Sequence, residues 1–115
     1  MPDRIQLKRV YDAVEASDGY RVLVDRLWPR GLSREAAQLD DWLKEIAPST
    51  ELRTWFRHEP SRWSTFKQRY FTELDAQHDA LAPLRDHDGT VTLLFAAKDT
   101  ERNNAVALLE YLSCS

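Results

Sequence analysis

The stretch TVTLLFAA, residues 90–97, decides the fold. It is an almost continuous apolar run, and a run of this length without alternation predicts a strand that is covered on both faces, as in parallel sheets. A second buried strand is predicted at residues 20–27, YRVLVDRL. The segment between the two strands carries helical patterns and is long enough for a crossover, so we expect these two strands to be parallel. An α/β fold follows.

A further strand is predicted at residues 5–11, IQLKRVY, where apolar and polar side chains alternate. This pattern is typical of a half-buried strand at the edge of a sheet. Asp18 and Gly19 then form a turn signal before the next strand. The gap is too short for a helical crossover, so these first two strands would be antiparallel if they were neighbours, and the sheet would be mixed.

Helices are predicted from apolar residues that recur every three or four positions. Ser33 is a candidate N-cap. The helix behind it would carry Leu39, Trp42, Leu43 and Ile46, and a short second helix would carry Leu52, Trp55 and Phe56. A third, opened by Pro60, would carry Trp63, Phe66, Tyr70 and Leu74, and the last would carry Val106, Leu109 and Leu112 behind Asp99 or Thr100 as N-cap.

The predicted architecture is therefore one compact α/β domain over residues 1–115. Its small mixed sheet has the second and third strands parallel and is packed by about four helices. A chain of 115 residues has the usual length of one domain. Its apolar fraction of 43% and charged fraction of 30% are ordinary for a globular protein.

Charge and cysteine content narrow the functional classes. The net charge of −3 argues against a dedicated nucleic-acid binder, which usually has a basic surface. The single cysteine, Cys114, makes no internal disulfide, so nothing indicates an oxidising compartment. The first ten residues, MPDRIQLKRV, lack the apolar core of a signal peptide, and no run approaches the ~20 apolar residues of a membrane span. We expect a cytoplasmic protein without membrane association.

Polar and aromatic side chains follow both predicted parallel strands. In open α/β sheets, ligands bind outside the carboxyl ends of such strands. The first loop carries Asp25, Arg26, Trp28 and Arg30, and the second carries Lys98 and Asp99, with Asn103 and Asn104 behind it. The arginine fork suits phosphate or carboxylate, the start of a helix favours anions, and an indole is available for stacking.

These loops predict a site for an anionic small molecule that resembles a phosphate or a nucleotide. If the protein is an enzyme, Asp25 or Asp99 would be the general base, and the other six side chains would bind the ligand. The sequence leaves open whether any reaction is catalysed, which cofactor would take part, and what the oligomeric state is. The structural alternative is that Asp25 pairs with Arg26 or Arg30, and that Lys98 and Asp99 belong to a solvated capping loop.

Other site classes have less support. The three histidines, His58, His78 and His87, lack metal-ligand spacing, so no metal site is predicted. His58 beside Glu59 is a candidate base, but the sequence favours an exposed helix end before Pro60. The chain has no glycine-rich phosphate loop.

Two alternative functions stay open. A nucleic-acid-associated regulator would use the interleaved aromatic side chains and the arginines at positions 21, 26, 30 and 34. A protein-interaction module would use the four tryptophans, since tryptophan is enriched at interface hot spots. Trp42, Trp55 and Trp63 each fit an apolar helix face, however, and this favours packing in the core.

Three segments together carry a family resemblance: RVLVDRLWPRGL at 21–32, WLKEIAPSTELRTWF at 42–56, and TLLFAAKDTERNNAVALLEYL at 92–112. They closely resemble the YeaO-like branch of domain-of-unknown-function family 488, and the likeness runs from about residue 5 to 112. The resemblance implies a compact α/β domain and no established activity. The family's last helix often opens with Asn-His, or with Cys-His-Arg in distant branches. This chain has Asn103-Asn104-Ala105 instead, so the resemblance does not carry over an imidazole-dependent mechanism or a metal site.

Overall fold

The computed structural model describes residues 2–113, which pack around one four-stranded sheet. The strands are β1 (Arg4–Arg9), β2 (Tyr20–Leu23), β3 (Asp41–Trp42) and β4 (Thr90–Phe95). Their spatial order is β1-β4-β2-β3, and every neighbouring pair is parallel. Cys114 lies outside the described residues.

Strand β4 occupies the centre, and its residues from Val91 to Phe95 are all buried. It pairs in parallel with β2, with Val22 opposite Leu93, which confirms the predicted crossover. Strand β1 lies at the edge, as predicted, and pairs with the other side of β4. Because β4 separates β1 from β2, the antiparallel pairing does not form, and the sheet is parallel throughout rather than mixed. The short connection crosses the end of β4 through a 3-10 turn at Ala16–Asp18.

Within the described residues, five α-helices accompany the sheet: α1 (Arg34–Ala37), α2 (Thr50–Phe56), α3 (Trp63–Asp75), α4 (Ala82–Arg85) and α5 (Asn104–Ser113). Short 3-10 turns lie at Lys44–Ile46, Pro60–Arg62 and Asp79–Leu81. The expected α/β domain is confirmed, with one helix more than the predicted four. The apolar stripe of α3 is also confirmed, since Phe66, Tyr70 and Leu74 are buried.

The predicted helix from Ser33 through Ile46 is wrong beyond its first turn. The Ser33 hydroxyl does accept a hydrogen bond from the Ala36 N–H at 3.0 Å. Gln38 then adopts the left-handed conformation at φ 46° and ends the helix. Asp41 and Trp42 pair with β2 as a strand instead, so the apolar spacing of this segment does not reflect a helix face.

The two faces of the sheet have different coverings. On one face Val22, Leu93 and Phe95 pack in the main core with α2, α3 and α5. On the other face Leu23 and Leu94 pack with the segment that follows β2 in a smaller cluster. Helix α5 buries Ala105, Ala107, Leu108 and Leu112, whereas the predicted Val106 and Leu109 are half-buried. This difference corresponds to a rotation of the predicted helix face.

A buried ion pair stabilises the second face of the sheet. Asp18 and Arg21 are 1% and 4% exposed, and a carboxylate oxygen of Asp18 accepts from the Arg21 guanidinium. Burial by itself would raise the pKa of Asp18, but hydrogen bonds from Lys8, from the Glu15 N–H and from Arg21 outweigh it and lower that pKa. Within residues 2–113 no helix has the length and apolar character that crossing a membrane requires.

Candidate functional site

A cavity of about 320 Å³ opens where β2 and β4 end. The loop after β2, the residues after β4, helix α2 and the start of α5 form its walls. Six of the eight predicted site residues line it: Asp25, Arg26, Trp28, Arg30, Asn103 and Asn104. The two loops therefore meet at one cavity, and most of the predicted site residues line it.

Asp25 connects three elements beside this cavity. Its Oδ2 accepts from the Ala96 N–H after β4 at 2.9 Å, and its Oδ1 accepts from the Asn104 side chain of α5 at 3.0 Å. Burial raises the pKa of Asp25 and outweighs the lowering by these two bonds and by the charges of Arg53 and His58. Among residues 2–113, no cation lies within 4.0 Å of its carboxylate, so the alternative of an ion pair with Arg26 or Arg30 is excluded.

Arg26 and Trp28 line the cavity while they hold its wall in place. The Arg26 guanidinium donates to the carbonyl oxygens of Ala47 and Pro48, both at 3.1 Å. The Trp28 indole N–H donates to the Leu32 carbonyl at 2.6 Å, and its ring meets the Trp42 ring edge-on at 5.4 Å. Both side chains thus have structural partners, and their contribution to binding would be secondary.

Arg30, in contrast, has a side chain without structural partners in the described part of the chain. Its carbonyl accepts from the Tyr11 hydroxyl at 2.9 Å, which fixes the backbone of the loop. Its exposed guanidinium has no hydrogen bond or ion pair with any residue in the described part of the chain. A fork of five N–H donors at the mouth of a cavity is suited to bind a carboxylate or a phosphate.

Two further basic residues line the cavity that sequence reasoning did not assign to it, Arg53 and His58. Helix α2 buries Leu52 and Phe56, and Arg53 lies one turn before Phe56. Arg57 and His58 both have positive φ, at 50° and 56°. This sharp turn keeps the His58 ring 5.8 Å from the ring of Phe56.

The amphipathic pattern of α2 is visible in the sequence, but its position across the strand ends is not. The interpretation of His58 as an exposed helix end describes its exposure correctly and overlooks the cavity. Like Arg30, Arg53 has no side-chain hydrogen bond or ion pair among residues 2–113. Three basic side chains therefore converge on one cavity: Arg30, Arg53 and His58.

The start of α5 is built by the two asparagines. Asn103 is 1% exposed, and its Oδ1 accepts from the Val106 N–H at 3.0 Å, so Asn103 is the N-cap rather than Asp99 or Thr100. Asn104 uses its amide nitrogen as a double donor, to the Val24 carbonyl at 2.8 Å and to Asp25. Both amide hydrogens are thereby satisfied, and Oδ1 remains as the acceptor of this side chain.

Lys98 and Asp99 do not line the cavity, so the two predicted catalytic carboxylates are not brought together there. Oδ1 of Asp99 accepts from the N–H groups of Glu101 and Arg102, and these bonds lower the pKa of Asp99. Oδ2 lies 3.3 Å from the Arg102 guanidinium. Asp99 therefore orders the loop before α5, which is the alternative that the sequence had left open. Over the described chain, no three His, Cys, Asp or Glu side chains form a group that could hold a metal ion.

Comparison with known proteins identifies the family. Residues 4–115 match DUF488-N3i, which is described as the inactive DUF488-N3 subclade. The chain belongs to this family. It is 50% identical to the uncharacterized protein YeaO of Escherichia coli over 112 residues, which cover 94% of this chain and 96% of that protein. The predicted resemblance to the YeaO-like branch is thus confirmed.

A second group of relatives comes from mycobacteria. The chain is 41% identical over 114 residues to the uncharacterized proteins Mb3100c of Mycobacterium bovis and Rv3073c of Mycobacterium tuberculosis. The alignments cover 96% of this chain and 94% of each relative. No solved structure matches the chain significantly.

Proposed function

We propose that this protein binds a small anionic ligand in the cavity at the ends of β2 and β4, with Arg30 and Arg53 as the anion contacts. One observation carries the proposal: two guanidinium groups that make no side-chain hydrogen bond or ion pair within residues 2–113 line the same cavity. Charge-assisted hydrogen bonds from arginine to a phosphate or carboxylate are among the strongest that a protein forms. The position agrees with the general rule for ligand sites in α/β sheets.

The ligand is bound without a chemical reaction in this proposal. Both carboxylate oxygens of Asp25 already accept hydrogen bonds from the fold, which suits a positioning role better than proton transfer. Asn104 carries an amide, which does not exchange a proton with Asp25 near neutral pH. The family's description as an inactive subclade supports the same reading. The cytoplasmic location predicted from the sequence remains part of this proposal.

The competing functions have less support. Of the four arginines that motivated nucleic-acid binding, Arg21 is buried in its ion pair and Arg26 donates to two backbone carbonyls. Arg34 lies over the Trp28 ring at 4.8 Å. All four tryptophans are partly buried against the two cores, so none stands out as an interface anchor.

The proposal is tested by thermal denaturation with ribose 5-phosphate and with inorganic phosphate. We expect the wild-type melting temperature to rise with ligand concentration, because a ligand that binds only the folded state stabilises it. Arg30→Ala and Arg53→Ala should remove this rise. Lys98→Ala is the matched control, since Lys98 is an exposed cation near the same sheet edge but outside the cavity. Equal responses of Arg53→Ala and wild type would refute the proposal.

A further inference from the structure

The cavity has a second chemical character besides its basic rim. Asp25 and Asn104 line it and are only partly exposed, and together they offer hydrogen-bond acceptors. Each oxygen of Asp25 accepts one bond and retains a second lone pair. The amide hydrogens of Asn104 are both donated to Val24 and Asp25, so its remaining polar atom, Oδ1, is also an acceptor. This part of the cavity is suited to a ligand that donates N–H groups.

The walls between acceptors and cations are largely apolar. Phe56 and Phe66, 4% and 2% exposed, line the cavity, and their rings stack at 4.3 Å. Tyr11 and Leu27 lie at the mouth, and they are two of the three most exposed large hydrophobic side chains among residues 2–113. Exposed apolar side chains around a concave site are typical of surfaces that a ligand covers.

The size of the cavity limits the ligand further. A volume of about 320 Å³ is at the lower end of the range for small-molecule sites, roughly 300–1,000 Å³. It suits a ligand the size of a mononucleotide. Arg30 and Arg53 are exposed, whereas Asp25 and Asn104 are half-buried. An anionic group would therefore be held on the solvent side of the cavity and an N–H donor on its inner side.

We infer that the ligand is a nucleoside monophosphate whose base carries an exocyclic amino group. The amino group donates to Asp25 and Asn104, the planar base packs against the apolar walls, and the phosphate is bound by Arg30 and Arg53. This inference rests on the proposed function, since it takes the anion contacts from there. It adds the class of the ligand and assigns Asp25 and Asn104 the role of selecting it.

The test is calorimetric titration of the wild-type protein with adenosine and inosine monophosphates, and with cytidine and uridine monophosphates. Within each pair an amino group is replaced by a carbonyl oxygen, and the adjacent ring nitrogen gains a hydrogen. At the position of the amino group, the carbonyl oxygen would face other acceptors. We expect the amino-bearing member to bind at least about tenfold more tightly, because a buried acceptor loses its partner in the other complex. Ribose 5-phosphate serves as the reference for the phosphate contacts alone.

Matched variants then test the two selecting residues. Asp25→Ala should reduce the adenosine-to-inosine ratio toward one, and Asp99→Ala, which removes a carboxylate outside the cavity, should leave the ratio unchanged. Removal of a negative charge changes the affinity for both monophosphates in the same way, so this general effect cancels in the ratio of the two affinities. If Asp25→Ala does not fold, Asn104→Ala supplies the same comparison.

The outcomes separate the two proposals. Equal binding of all four nucleotides and of ribose 5-phosphate would overturn the inference and leave the anion site in place. Absence of binding by every phosphate compound would refute the anion site and the inference together. Amino selectivity in the wild type that persists in Asp25→Ala and in Asn104→Ala would overturn the assignment of the selecting residues.

Discussion

Asp25 and Arg30 are expected to be energetically independent, although they are five residues apart in one loop. The carboxylate of Asp25 is bound by Ala96 and Asn104, and the Arg30 guanidinium has no partner in the described chain. A double-mutant cycle measures this directly, because residues without contact contribute additively to stability. Asp18 and Arg21, which form a buried ion pair, provide the matched control.

The magnitudes follow from the contacts. Asp25→Ala leaves the Ala96 N–H and one amide hydrogen of Asn104 without an acceptor, and each bond to a charged group contributes about 1.5–3 kcal/mol. Relief from burying the carboxylate offsets part of this loss, so we expect a net destabilisation of about 2 kcal/mol. Arg30→Ala should change the free energy of unfolding by less than about 0.5 kcal/mol, as exposed substitutions usually do.

The expected coupling energy between Asp25 and Arg30 is below about 0.5 kcal/mol. In the control cycle, removal of either Asp18 or Arg21 should cost about 3–5 kcal/mol, because the remaining charge is buried. Urea denaturation followed by tryptophan fluorescence gives each free energy of unfolding. A coupling energy above ~1 kcal/mol between Asp25 and Arg30 would show that the two side chains interact to stabilise the fold. The interpretation of Arg30 as an unpaired side chain available to a ligand would then be wrong.

Three further predictions concern pH, a glycine and a buried hydroxyl. The pKa of Asp25 is raised in the folded protein, which therefore binds this proton more tightly than the unfolded chain does. The stability that this proton contributes is lost as pH rises from 3.8 through the raised pKa. Across that window, the urea midpoint of the wild type should fall more steeply than that of Asp25→Ala. Gly19 has φ +63°, and in Gly19→Ala the new Cβ would lie 2.4 Å from the Thr90 carbonyl oxygen. We expect thermal denaturation to show that the free energy of unfolding falls by about 3 kcal/mol. Gly89→Ala, which has open space around the new Cβ, should lose about 1 kcal/mol. Tyr70→Phe removes a buried hydroxyl that donates at 2.6 Å, and it should lower the free energy of unfolding in urea by about 1–2 kcal/mol. An unchanged value would mean that water satisfies the acceptor carbonyl.

Strands β1, β2 and β4 were predictable because their signals are local. The apolar run at 90–97 cannot be exposed on either face, and this property alone indicates a central strand of a parallel sheet. The pairing partner of β1 was not predictable in the same way. Alternation shows that a strand is half-buried, but it does not show which strand lies beside it, and β4 pairs with β1 from a distance of more than eighty residues.

The segment 38–46 shows how periodicity misleads in a short chain. The apolar side chains of this segment have helical spacing: Leu39, Trp42, Leu43 and Ile46. In the structure they lie on a turn, a two-residue strand and a 3-10 turn. The stabilising contacts are non-local: the Asp40 carboxylate accepts from the Arg21 N–H at 2.8 Å, and β3 extends the sheet beside β2. Tertiary contacts of this kind override local propensity, and a periodic count does not detect them.

The candidate cavity was predictable as far as it depends on the two strand ends. The rule for α/β sheets places the loops after β2 and β4 together, and six of the predicted residues do line one cavity. Lys98 and Asp99 fall outside it, and Asp99 instead accepts from two backbone N–H groups of its own loop. Arg53 comes from α2 and His58 from the turn after it. Their positions depend on how that helix packs, which no local pattern encodes.

The contact between Asp25 and Asn104 links the stability of this fold to its chemistry. One amide donates to the end of β2 and to the buried carboxylate, so the start of α5 is fastened to the sheet at the wall of the cavity. The same amide adds no group that titrates, and thus Asp25 stays an acceptor with no proton-transfer partner in the helix. A chain with this pair keeps a shaped and charged cavity whose carboxylate is held in place by the fold. This is the property that the proposed binding site requires: an acceptor whose orientation is set by the fold before a ligand arrives.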